Sequence, residues 1–134
     1  MTPLELRNPE TLPEPVGLYS HSSAGTGRVA FIAGQLSVGP NGELVGEGDI
    51  DAQVERCYRN VELVLQSLGG GWANLAKMTT YVTTPEGIGD FYRVRARLYE
   101  EFFPNGQYPP NTLLVVSRLV RPEFLIEIEG AAIL

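Results

Sequence analysis

The chain has 134 residues, of which 43% are hydrophobic, and carries a formal net charge of −6 with a sequence pI near 4.7. That size and apolar share suit one compact domain over residues 1–134. The acidic balance, with only ten scattered basic residues, argues against a nucleic-acid partner, because affinity for a phosphate backbone comes mostly from clustered Lys and Arg. No basic region followed by an apolar run opens the sequence, and no apolar stretch has bilayer-spanning length, so a soluble, cytoplasmic protein with no membrane partner is expected. A lone cysteine, Cys57, can form neither an intrachain disulfide nor a multi-cysteine metal site. No metal or other cofactor is implied.

Residues Thr2 to Pro15 hold four of the ten prolines and read as an irregular arm over positions 1–15. Two short strands follow, Leu18 to Ala24 and Val29 to Gln35, which the glycines of Gly25-Thr26-Gly27 would join in a tight hairpin. Pro40-Asn41-Gly42 is a second turn signal, leading to Leu44 and Val45.

From Ile50 the apolar residues Val54, Cys57, Val61, Leu65 and Leu68 recur at helical spacing. Asp49 is the expected N-cap, Glu55 and Arg59 an i,i+4 pair, and Gly69-Gly70-Gly71 the stop. Leu75 to Thr84, rich in Thr, Val and Tyr, reads as a strand. A second helix carries the stripe Phe91, Val94, Leu98 and Phe102 and cannot pass Pro104.

Two closing strands are expected, one running through Leu113 to Leu119 and one from Phe124 to Ile133. The first is apolar on both faces, so both faces should be covered. Two helices cover one face of such a sheet, which leaves the other for a second subunit or for the N-terminal arm. The order β-β-α-β-α-β-β gives an α+β fold, a mixed sheet with two helices on one face.

Leu18-Tyr19-Ser20, Ala33-Gly34-Gln35, Asp90-Phe91 through Tyr99 to Phe103, and Ile126-Glu127-Ile128-Glu129 occur in an order and spacing that resemble the RidA/YjgF family of imine and enamine deaminases. The resemblance runs from Gly17 to Ile133. It implies a RidA-like fold, related in architecture to one class of chorismate mutases, and a homotrimer that binds a small molecule in clefts between subunits.

Hydrolysing an imine needs a positioned water, a group to move its proton and a grip on the substrate. By the resemblance, Glu127 is the catalytic residue that orients the water. Strand alternation puts Glu127 and Glu129 on one face, which fits a polar strand face equally well. Tyr19 matches a pocket tyrosine and also suits a core aromatic, and Ala33 stands where many deaminase members have serine. Asn111 occupies the position of the family's substrate-gripping arginine, with Leu113 two residues on in the same pocket. Losing a bidentate charged contact there would cost on the order of a hundredfold in kcat/KM. Arg95, where a pocket asparagine is common, is a candidate replacement; the alternative is that Arg93, Arg95 and Arg97 share a solvated helix face.

His21 is a weaker pocket candidate, placed beside Ser20 but on the opposite side of a strand. Cys57 reads as a buried small hydrophobe. Three functions remain in view: an imine or enamine deaminase of atypical substrate preference, a non-catalytic binding or regulatory trimer, and a ribonuclease, for which no basic RNA path is visible.

Overall fold

The computed structural model describes residues 4–134. Six strands and two helices follow the order β1 (Glu5–Arg7), β2 (Ser22–Ala24), β3 (Val29–Gln35), α1 (Ile50–Ser67), β4 (Leu75–Val82), α2 (Glu86–Phe102), β5 (Asn111–Val115) and β6 (Ile126–Ile133). A single 3-10 turn, Trp72–Asn74, leads into β4. The main sheet has the order β3-β6-β4-β5, antiparallel except for the parallel pair β4 and β5. The fold is α+β, with both helices on one face of a mixed sheet.

Local chemistry sets both helices as expected. The Asp49 carboxylate accepts from the Ala52 N–H at 3.2 Å, Glu55 and Arg59 approach to 3.9 Å, and α1 stops before Gly69. Val54, Cys57, Val61 and Leu65 of α1 and Phe91, Val94, Leu98 and Phe102 of α2 are buried. They pack with Ile32, Met78, Val82, Ile126 and Ile128 of the sheet in one apolar cluster. Cys57 belongs to it: the thiol donates to the Ile126 carbonyl at 3.5 Å, and burial raises its pKa far above the usual thiol range. It is a structural residue.

Four expectations need correction. The arm expected to be irregular contains β1, which pairs antiparallel with β2; its first residues, Met1 to Pro3, lie outside the described residues. The Leu18–Ala24 strand shortens to Ser22–Ala24, because the His21 N–H donates to Asn8 Oδ1 and the His21 ring to the Pro13 carbonyl, both at 2.9 Å. These bonds tie the segment to the arm instead of a ladder. No hairpin joins β2 to β3, since β3 pairs with β6. At Gly27 a side chain would meet the Leu134 carbonyl oxygen at 2.3 Å, so this glycine admits the chain's closing residue as a neighbour. Finally, β5 ends at Val115 rather than near Leu119. The Val116 N–H still reaches the Val82 carbonyl at 2.8 Å, but β4 stops there and offers no further partner.

Candidate functional site

The expected site residues separate into two groups on different sides of the sheet. Along β6, Ile126 and Ile128 turn into the core while Glu127 and Glu129 turn to the face without helices, half-buried. Glu127 is in register with Tyr81 of β4, whose hydroxyl donates to Glu129. Across β6 the ladder to β3 slips between Ile32 and Gln35. Ala33 and Gly34 sit on this bulge, a device that re-aims side chains near functional sites. A side chain at Gly34 would come within 1.9 Å of Glu127 Oε2 and 2.7 Å of its Cδ, so the glycine is what lets the carboxylate lie across β3. Burial first, and the neighbouring charge of Glu129 second, raise the Glu127 pKa above the ordinary carboxylate range. Such a group is set toward proton transfer.

The second group surrounds edge strand β5. A cavity of about 330 Å³ is lined by Val16, Gly17, Tyr19, Tyr92, Arg95, Asn111, Thr112 and Leu113. It brings together Tyr19, Arg95, Asn111 and Leu113, four residues expected in the pocket. Asn111 Oδ1 accepts from the Thr80 hydroxyl at 2.9 Å, so its acceptor is engaged and its amide donors are free of that bond. Arg95 leaves the solvated face assigned to the arginine run. Arg93 is exposed and paired with Asp51 and Asp90, and Arg97 with Glu55, whereas Arg95 is 3% exposed. Helical spacing explains the split: Arg95 follows Phe91 by four residues and Val94 by one, and so falls at the rim of the apolar stripe.

Glu127 does not line this cavity. It stands on β6, two strands from β5, and strands are spaced by about 4.8 Å. An adjoining cavity of about 470 Å³ shares Tyr19, Asn111 and Thr112 and adds Ser20, His21 and Lys77. Ser20 and His21 thus line one space, contrary to the opposite-sides expectation, because this segment is not a strand; no carboxylate lines that space to complete a triad.

Sequence reasoning assigned no role to Gly34, Tyr92 or Lys77. A glycine inside a strand pattern is a signal of close approach, and Lys77 is the chain's single lysine, set between Ala76 and Met78. Its Nζ donates to the Met78 carbonyl at 2.8 Å and the Thr112 hydroxyl at 2.7 Å, and burial lowers its pKa. A separate cavity of about 460 Å³ beside Leu6, Trp72 and Phe102 contains no titratable side chain.

A family model described as Endoribonuclease L-PSP matches residues 9–134. A RutC family protein of Synechocystis sp. is 33% identical over 123 residues, covering 91% of this chain and 90% of its own length. One from Pyrococcus horikoshii is 34% identical over 124 residues, covering 92% of each. The crystal structure of YyfB from Yersinia pestis, a Rid family protein of unknown function, matches with a TM-score of 0.88 at 33% identity, over 99% of this chain and 100% of that one. A family match that runs from Pro9 to Leu134, together with relatives about one-third identical over nine-tenths of the chain and a Rid family structure that matches along 99% of it, establishes that the chain belongs to the RidA/YjgF family.

Proposed function

We propose that the chain forms a homotrimer whose intersubunit clefts bind a small reactive imine or enamine and hydrolyse its C=N bond. The observation that carries this reading is Glu127, a half-buried carboxylate of raised pKa laid over Gly34 on the helix-free sheet face. In one subunit the Glu127 face and the Arg95–Asn111 edge stand apart, and packing a second copy against the first is the arrangement that would close them on one ligand. Glu127 then accepts a proton from water as the oxygen adds to the imine carbon. The resulting carbinolamine collapses to a carbonyl, the proton passes to nitrogen, and ammonia leaves. One water is consumed and no oxidant is required.

Asn111, in the position of the family's arginine, supports an altered substrate preference and equally a second reading, a binding or regulatory trimer without turnover. Ribonuclease chemistry is not favoured, since the net charge is −6 and no carboxylate stands beside His21 in its cavity. The test is hydrolysis of a panel of 2-imino acids, generated by an amino-acid oxidase and captured with semicarbazide. Deaminase activity predicts faster loss of at least one imine, abolished by Glu127→Gln. Turnover that survives in Glu127→Gln removes Glu127 from the mechanism, and no acceleration for any substrate favours the binding reading.

A further inference from the structure

Arg95 is a buried cation with no counter-ion among the described residues of one chain. Its Nε is fully enclosed and has no hydrogen-bond partner, and among the described residues its guanidinium makes no hydrogen bond or ion pair. Acids are not scarce on these helices: Asp51 and Asp90 serve Arg93, Glu55 serves Arg97 and Glu101 serves Arg59. What Arg95 receives instead is aromatic surface. Its Cζ lies 5.0 Å from the ring centroid of Phe91, 4.9 Å from Tyr92 and 5.6 Å from Tyr99. Ring quadrupoles offset part of the cost of removing a cation from water but satisfy none of its N–H groups. A buried charge held this way calls for an anion from outside.

The cavity lining states which anion. No carboxylate and no second cation lines it. Arg95 brings a fork of N–H donors that matches a carboxylate. Asn111, whose oxygen accepts from the Thr80 hydroxyl, keeps its two amide N–H donors for a ligand. The remaining walls include Val16, Tyr92 and Leu113. One cation suits one negative charge, so a dianion would leave charge unmatched.

We propose that Arg95, on α2, is the anion anchor of this cleft in place of a residue on β5, and that the substrate it holds carries a single carboxylate. This rests on the deaminase reading for the identity of the reacting bond, but not for the binding of the carboxylate. Pyruvate, the product of hydrolysing the simplest such substrate, is the probe, and pyruvamide its neutral isostere. Thermal unfolding of the wild type should move upward with the logarithm of pyruvate concentration and not respond to pyruvamide. Arg95→Gln should abolish the response, Arg95→Lys should weaken pyruvate affinity about tenfold because a point charge replaces a fork, and Glu127→Gln should retain it.

Equal responses to pyruvate and pyruvamide, or an undiminished response in Arg95→Gln, overturn the anchor. If Arg95→Gln does not fold, Arg95→Lys decides, and unchanged affinity there overturns it too. Pyruvate binding that depends on Arg95 in a protein with no turnover keeps the anchor and removes the deaminase. Glu127-dependent hydrolysis that Arg95→Gln leaves intact does the reverse.

Discussion

Glu127 and Gly34 form a pair in which the smaller residue decides what the larger can do. In Gly34→Ala the new methyl would overlap the carboxylate at 1.9 Å, and the flexible glutamate would swing away at little cost to folding. Under the deaminase reading, kcat should fall by roughly ten- to a hundredfold with KM nearly unchanged, in the same semicarbazide-coupled assay. Titration offers a second check. A base must be ionised to act, so activity should rise with pH through the elevated Glu127 pKa. Glu129→Gln, which deletes the neighbouring negative charge, should shift that acid limb to lower pH. The same elevation fixes the stability sign. A carboxylate whose folded pKa lies above its unfolded one favours the native state at low pH and ceases to do so as pH rises through the folded value. Glu127→Gln should therefore be at least as stable as wild type at neutral pH, and its advantage should vanish in acid, as thermal melts across pH would show.

Among the elements, helices were legible and strand partners were not. The stripe Val54, Cys57, Val61, Leu65 and the cap at Asp49 are local, so α1 could be read from spacing alone. The pairing of β3 depends on β6, about a hundred residues along the chain, and the pairing of β2 on β1 in a proline-rich arm; neither leaves a local trace. Gln53 shows the same limit inside a helix. It occupies the buried side of α1 with no solvent exposure, donates to the Gly46 and Glu123 carbonyls at 3.0 Å each, and accepts from the Leu125 N–H at 2.9 Å. One amide thus fastens two loops to α1. Gln53→Leu fills the space but strands those backbone groups, and should cost roughly 3 kcal/mol at about 1 kcal/mol or more per buried unmade bond, measured by urea unfolding.

For the whole molecule, Glu127 was legible as a site residue through its motif, whereas Arg95 was ambiguous in sequence because charge runs on helices are usually solvated and a position at the rim of an apolar stripe can turn either way until the neighbouring elements are in place. The separation of the two groups also bears on assembly. The described part of the arm, from Leu4 on, does not cover the helix-free face: β2 meets the sheet where the Ser23 hydroxyl donates to the Ala76 carbonyl, while Phe31 is 86% exposed and Leu114 43%. Phe31 projects beside Ala33, on the face from which Glu127 would meet a neighbour, and apolar surface of this kind is characteristic of an interface. Under the proposed trimer, wild type should sediment at three times the 14.7 kDa chain mass. Phe31→Glu puts a charge where a neighbouring subunit would need apolar surface and should give folded monomers, retaining helical circular dichroism but losing imine hydrolysis, because each cleft needs two copies. A Phe31→Glu protein that sediments as wild type would show that this face lies outside the interface, and a folded monomer with full turnover would show that one chain suffices for catalysis.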